Sequence, residues 1–191
     1  MHENDKPLSD LLADPEISSI GALPPHSSHV HYRTAEEQKA GRSSFYFSLT
    51  GRWRFFYSET LDDLPDGFEQ PGYDLSAWGE IEVPGHIQLS YCGRPQYVNT
   101  MYPWDGLEEV HPGGLPHRNP TGSYVKEFRL PESFFGKRLI LRFDGVETAF
   151  RLFINGRFAG YSEDSFTPAE FDLTDALQKG VNRLAGQGYA R

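Results

Sequence analysis

From Gly51 onward, apolar and polar residues alternate in short runs separated by turn formers, and this period of two predicts β-strands. Gly51-Arg52-Trp53-Arg54-Phe55-Phe56-Tyr57 sets Trp53, Phe55 and Tyr57 on one face. Arg138 to Asp144 alternates without a break, with Leu139, Leu141 and Phe143 inward and Arg138, Arg142 and Asp144 outward. Phe150, Leu152 and Ile154 repeat the pattern. Asn155-Gly156 then separates Phe150–Ile154 from Arg157–Tyr161 and predicts a hairpin, because a type I′ turn needs positive φ at both central residues. Phe171 to Leu177 reads as a short helical turn closed by Gly180, and Val181 to Tyr189 as the last strand. Strands recurring at intervals of roughly ten residues, with little helix between them, predict an all-β sandwich or barrel.

Residues 1–50 lack this alternation and read as an N-terminal arm before a domain spanning 51–191. Pro24-Pro25 and Ser27-Ser28 mark an extended, turn-rich path. Thr34-Ala35-Glu36-Glu37 is a capping box for a short helix that Gly41 ends. A chain of 191 residues accommodates one domain of roughly 150 residues with a sizeable core, plus this arm. Aromatic residues make up 14% of the chain, and Phe (14) far outnumbers Met (2), which suits a packed sandwich better than a helical bundle.

The formal net charge of −9 argues against nucleic acid or an anionic membrane surface as partner. There is no run of about 18 apolar residues to span a membrane. Met1-His2-Glu3-Asn4-Asp5-Lys6 is charged and leads into no apolar stretch, so no secretory signal is read there. Cys92 is the only cysteine and has no internal partner, and a cytoplasmic protein is the simplest expectation.

The candidate chemistry is concentrated in Pro95-Gln96-Tyr97-Val98-Asn99-Thr100-Met101-Tyr102-Pro103-Trp104-Asp105-Gly106. This segment is too punctuated by proline for a helix or a central strand. It reads as a rigid, aromatic-lined polar loop on a β scaffold. Tyr and Trp faces cover the apolar side of a sugar, and an Asn amide both donates to and accepts from its hydroxyls. The loop is flanked by Val83-Pro84-Gly85-His86-Ile87-Gln88 and Asn119-Pro120-Thr121-Gly122-Ser123-Tyr124. In that order, the three motifs resemble the N-terminal sugar-binding domain of the large β-galactosidases of glycoside hydrolase family 2.

The resemblance runs from about Asp14-Pro15-Glu16-Ile17 to the C-terminus. It takes in Gly51-Arg52-Trp53, Phe143-Asp144-Gly145-Val146-Glu147-Thr148-Ala149-Phe150, Ile154-Asn155-Gly156 and Gly160-Tyr161-Ser162. Ala169-Glu170-Phe171-Asp172-Leu173 and Asn182-Arg183-Leu184-Ala185 complete it. It implies a jelly-roll sandwich. Three departures stand out. Gly21-Ala22 replaces the family's Asn-Arg pair that ties down the arm, which predicts a looser arm. Gly186 and Gly188 replace valine-like residues on the face shared with Leu184, removing two apolar side chains from it. The family's catalytic barrel lies beyond Arg191, so the chain is expected to be truncated before it, at the C-terminal end of its own sandwich.

A retaining β-glycosidase uses two carboxylates about 5–5.5 Å apart. In the family both come from the barrel, so none of this chain's carboxylates takes either role and the fragment is expected to be inactive alone. The adjacent pairs Asp62-Asp63, Glu108-Glu109 and Glu163-Asp164 read as solvated surface charge, since neighbours on a strand point to opposite faces. The resemblance implies that Asn99 reaches the active site and hydrogen-bonds the galactosyl group. Read from the residues alone, Asn99 fits an Asx-turn before Tyr102-Pro103 at least as well. Tyr97, Tyr102 and Trp104 are secondary candidates for the same pocket, and aromatics beside prolines more often pack a loop.

The resemblance also implies that the full-length relatives use a divalent cation such as Mg and often Na, although the fragment itself requires neither. Glu163 stands where some relatives place a cation ligand, but the arm's ligands do not match. His26, His29 and His31 invite a metal reading, yet only His29 and His31 share a face of an extended chain, with no acid or Cys beside them. Asn119 precedes Pro120 and is no glycosylation acceptor. Cys92 reads as a small packing residue. The expected partners are a β-galactoside or galactose and the catalytic barrel, in cis or as a separate chain, within an oligomeric enzyme. Two other readings remain open: a stand-alone carbohydrate-binding or assembly module with no catalytic partner, and a degraded gene product that folds poorly.

Overall fold

The computed structural model describes residues 8–90, 104–111 and 113–189. Among them, nine strands and three short helices follow one another along the chain. They are α1 (Leu8–Ala13), β1 (Ser19–Ile20), α2 (Ala35–Ala40), β2 (Gly51–Thr60), β3 (Gly79–Val83), α3 (Ile87–Ser90), β4 (Arg118–Phe128), β5 (Ile140–Phe143), β6 (Ala149–Ile154), β7 (Arg157–Ser162), β8 (Ala169–Asp172) and β9 (Asn182–Tyr189). Seven strands form one sheet in the order β1-β7-β6-β9-β4-β2-β3, and β5 and β8 form a second. All neighbouring pairs are antiparallel. This is the jelly-roll sandwich that the alternation and the resemblance predict.

The inward faces make the principal core. Trp53 and Phe55 from β2, Phe150, Leu152 and Ile154 from β6, Leu184 from β9 and Phe171 from β8 are buried together. Leu141 and Phe143 of β5 and Tyr57 of β2 pack at its edge, on the faces their alternation assigned. Phe171 crosses so close to β7 that a Cβ at Gly160 would lie 2.2 Å from its ring. Only glycine fits there. The β6–β7 hairpin turns at Asn155 (φ 51°) and Gly156 (φ 82°), both in the left-handed region that Asn-Gly reaches at low cost.

The outer face of the large sheet is also covered. Phe68 and Trp78, from the connection between β2 and β3, pack on Val125 and Ala185. Arg183 anchors that connection from below, donating to Phe68 O at 3.2 Å and lying 3.5 Å from a Glu127 carboxylate oxygen. Beside this packing, Gln187 is fully buried within a polar network. It donates to Ser123 Oγ (3.0 Å) and accepts from Arg151 Nε (2.7 Å) and Tyr189 OH (2.9 Å).

The structure corrects three readings of the sequence. The stretch read as the beginning of an arm contains α1, whose Leu8, Leu11 and Leu12 are buried against Ala149, Tyr161 and Tyr189. Two turns of helix are too short for periodicity to reveal. The arm is not loosened at Gly21-Ala22 either. Ser19 and Ile20 pair with β7, Ala22 bridges to Phe171, and Leu23 N donates to Glu170 O at 2.8 Å, so backbone contacts hold it without the family's side chains. Finally, Phe171 and Asp172 belong to strand β8, opposite Leu141 and Ile140, and the helical turn begins only at Leu173.

Of the predicted capping box, the half in which Thr34 caps the helix forms. Thr34 accepts from Glu37 N at 3.2 Å, and Gly41 closes α2 in the left-handed region. The Glu37 carboxylate reaches back to Arg33 N at 2.9 Å, one residue before the cap.

Candidate functional site

The loop singled out in the sequence leaves the sandwich after α3 and returns before β4. Ile87 lies over the inner face, where a Cβ at Gly122 would sit 3.0 Å from its Cδ1. Asn99, Tyr97 and Tyr102, with Cys92, lie outside the described residues. Trp104 is described and half-buried, and its carbonyl accepts from Leu107 N (2.9 Å) and Glu108 N (3.0 Å) in a tight turn.

The return of the loop is fastened by Glu108. Its carboxylate accepts from His117 N at 2.6 Å and Arg118 N at 2.9 Å, where β4 begins. These bonds, that to Arg118 foremost, hold its pKa below the ordinary glutamate value. The residue read as surface charge is therefore a clamp that fixes where the aromatic loop rejoins the sheet. Nothing local in the sequence signals it, because its partners lie nine and ten residues away on the backbone.

The other acidic pairs are likewise engaged. Asp63 accepts from Thr60 Oγ1 at 2.7 Å. Glu163 accepts from the Tyr161 hydroxyl, and its backbone N donates to Ser18 O at 3.0 Å. Asp164 accepts from Phe166 N and Thr167 N, both at 2.9 Å, and hydrogen bonds from Thr167 and Phe166 lower its pKa. An acid bonding the backbone two and three residues ahead is a turn signal legible in Asp164-Ser165-Phe166-Thr167. The bond from Tyr161 engages one carboxylate oxygen of Glu163, Oε1. Among the described residues, no three His, Cys, Asp or Glu side chains gather as a metal set.

His26 and His29 take different partners. His29 Nε2 lies 3.0 Å from Ser27 Oγ, whereas His26 Nε2 reaches Glu170 Oε2 at 2.9 Å. Glu170, nearly buried, also takes Arg142 Nη1 at 3.2 Å. Arg142 in turn donates to Ser28 Oγ at 2.9 Å and to Asp144 at 2.7 Å. The hydrogen bond to Ser27 O, and then that to Glu170, raise the His26 pKa. This cluster ties the arm to the small sheet.

A groove of about 710 Å³ lies on the outer face, between the 72–76 loop and the ends of β2 and β4. Its cations are matched within the chain: Arg54 donates to Trp78 O at 3.3 Å and Arg183 serves the contacts above. Among the described residues, no helix is long and apolar enough to cross a membrane.

Residues 46–188 match the glycosyl hydrolases family 2, sugar binding domain. A β-galactosidase of Halalkalibacterium halodurans is 49% identical over 182 residues, covering 94% of this chain and 18% of its own length. The β-galactosidase of Lactobacillus delbrueckii subsp. bulgaricus is 45% identical over 91% of this chain and 17% of its own length. The β-galactosidase large subunit of Leuconostoc lactis is 44% identical over 93% of this chain and 30% of its own length. The chain thus spans less than a third of the curated relatives it matches. Among solved structures, a Bifidobacterium dentium β-glucuronidase superposes with a TM-score of 0.51 at 24% identity, covering 74% of this chain and 19% of that one. At that identity the likeness speaks for the fold.

Proposed function

The chain belongs to family 2 of the glycosyl hydrolases, as its sugar binding domain, and on that premise we propose that it serves a β-galactosidase hydrolysing terminal non-reducing β-D-galactose residues, such as that of lactose. The observation that carries this reading is the pair of coverages: 94% of this chain but only 18% of a 49% identical β-galactosidase. The two catalytic carboxylates would come from the rest of such an enzyme, and this chain alone would not turn over a galactoside. The β-galactosidase large subunits among the relatives fit a catalytic portion in the same polypeptide or in an assembled one.

In this reading Asn99 hydrogen-bonds a galactosyl hydroxyl at the edge of the active site. The described residues on either side of the segment are anchored: Ile87 of α3 is seated on the inner face, and Glu108 is clamped to the start of β4. The test is a chimaera in which this chain replaces the matching region of the Halalkalibacterium halodurans enzyme. Asn99→Ala should lower kcat/KM about tenfold, the upper range for one lost hydrogen bond, with the melting temperature unchanged. A fall in melting temperature at unchanged kcat/KM would make Asn99 an Asx-turn residue instead.

A further inference from the structure

Towards its end, the inner face of β9 stops contributing side chains. Leu184 is fully buried, but the next two positions on that face are Gly186 and Gly188, and both are part-exposed. The pairings fix what stands on either side. Gly186 lies between Tyr124 of β4 and Leu152 of β6, and Gly188 between Gly122 of β4 and Phe150 of β6. Adjacent strands are about 4.8 Å apart, so β4 and β6 stand about 9.6 Å from each other across this floor of bare backbone.

The walls are aromatic and braced. Phe55 and Tyr124 pack with ring centroids 4.9 Å apart and lean over Gly122, where a Cβ would lie 2.8 Å from each ring. Opposite them, Phe143 and Phe150 meet edge to face at 5.1 Å, and Val146 Cγ1 lies 4.0 Å from the Cβ position of Gly188. Among the described residues nothing else comes within 4 Å of that position. At Gly186 only the Arg151 carbonyl does, at 3.7 Å. Tyr124 adds one polar group, and burial alone, with no hydrogen bond contributing, pushes its hydroxyl up to about 12.

We propose that this glycine-floored slot binds a small neutral arene, a ring of the phenol or indole kind, held between Tyr124 and Phe150. The proposal is independent of the β-galactosidase reading. The lining selects the class of ligand. A sugar would bury several hydroxyls against carbon, and each one without a partner costs free energy. A flat apolar ring avoids that cost and gains edge and face contacts with the aromatic walls. Apolar space left by missing side chains takes up molecules of this kind. The Tyr124 hydroxyl can accept from a single N–H or O–H on the ring. Asp144 and Glu147, exposed on the loop that carries Val146, disfavour an anionic ring.

The probe is indole, titrated into the isotope-labelled full chain and followed through its backbone amide shifts. Saturable shifts should centre on Gly186 and Gly188, with a Kd of about 1 mM or tighter, within reach of a fragment of this size. Gly186→Val fills the slot and should weaken binding about tenfold or more, since ring and side chain then compete for one volume, while the melting temperature does not fall. Gly188→Ala should weaken binding less, and this smaller change carries the test if the valine variant does not fold. Absence of saturable shifts at these glycines, or undiminished binding in either folded variant, would overturn the site. Saturation of the same amides by galactose and not by indole would overturn the ligand class and make the slot a sugar subsite.

Discussion

The two faces of β9 solve different problems. Outward, Arg183, Ala185, Gln187 and Tyr189 are all buried; Arg183 bonds the covering connection, Gln187 bonds a neighbouring strand, and Tyr189 donates to Gln187. Inward, Leu184 is fully buried, but Gly186 and Gly188 follow it with no side chain. A Cβ at Gly186 would come no nearer than 3.7 Å to a described atom, and one at Gly188 no nearer than 4.0 Å. Neither glycine has the positive φ that would demand it. One face is closed by specific partners, while the other has room. The difference teaches that the same residue type can be obligatory or replaceable two strands apart on one sheet face, since Gly160 on β7 faces the Phe171 ring without space for a methyl group.

Breaking the closed side should have the largest effect. Gly160→Val forces Phe171 out of its site, and overpacking of this kind costs about 1–3 kcal/mol or more. The melting temperature should fall by roughly 2–4 °C per kcal/mol in a domain of this size. A melting temperature unchanged by Gly160→Val would show that the ring yields freely.

Filling the open side should act in the opposite direction. Gly186→Val or Gly188→Val adds buried apolar surface and restricts the unfolded chain, for an expected gain of about 0.5–2 kcal/mol each. A drop in melting temperature would mean that these positions do not face usable space. The degraded-product reading drew on these glycines, yet β9 pairs with β4 over eight positions and with β6 over six, so the strand forms without them.

Smaller effects belong to the ties at the periphery, and two respond to pH with opposite signs. His26 has a raised pKa, so its contribution is full below the ordinary value of 6.5 and is lost as pH rises through the folded value. Glu170 faces it directly, Arg142 bonds Glu170 from the other side, and Asp144 bonds Arg142 in turn. The protection factor of the Leu23 amide, which donates to Glu170 O, corrected for the intrinsic rise of exchange with pH, should therefore fall above about pH 6.5. His26→Gln should remove that dependence. Asp172, held down to about 2 by Thr174 and then Arg138, contributes above 3.8 and weakens as pH falls below it. Its loss should appear as acid fraying where β8 meets the Leu173 turn.

What the sequence made legible follows the range of each interaction. Trp53, Phe55, Phe150, Leu152 and Ile154 declare their faces by alternation, and Asn155-Gly156 declares its turn by backbone preference, because both are properties of a few adjacent residues. Phe171-Asp172 was misread because a four-residue strand offers only two alternations, and its assignment comes from pairing with β5. The burial of Leu8, Leu11 and Leu12 and the Glu108 clamp depend on partners distant in the chain. The aromatic loop was legible as chemistry through its motif, while its anchoring became visible only at its two described ends.

On the function proposed above, this chain supports galactoside hydrolysis without holding the catalytic groups. The direct measurement is turnover of a chromogenic β-galactoside by the purified chain and by the Halalkalibacterium halodurans chimaera, at matched folded concentrations. The chain alone should show none and the chimaera should be active. Turnover by the chain alone that survives removal of host enzyme, or a folded chimaera with no activity, would contradict the account.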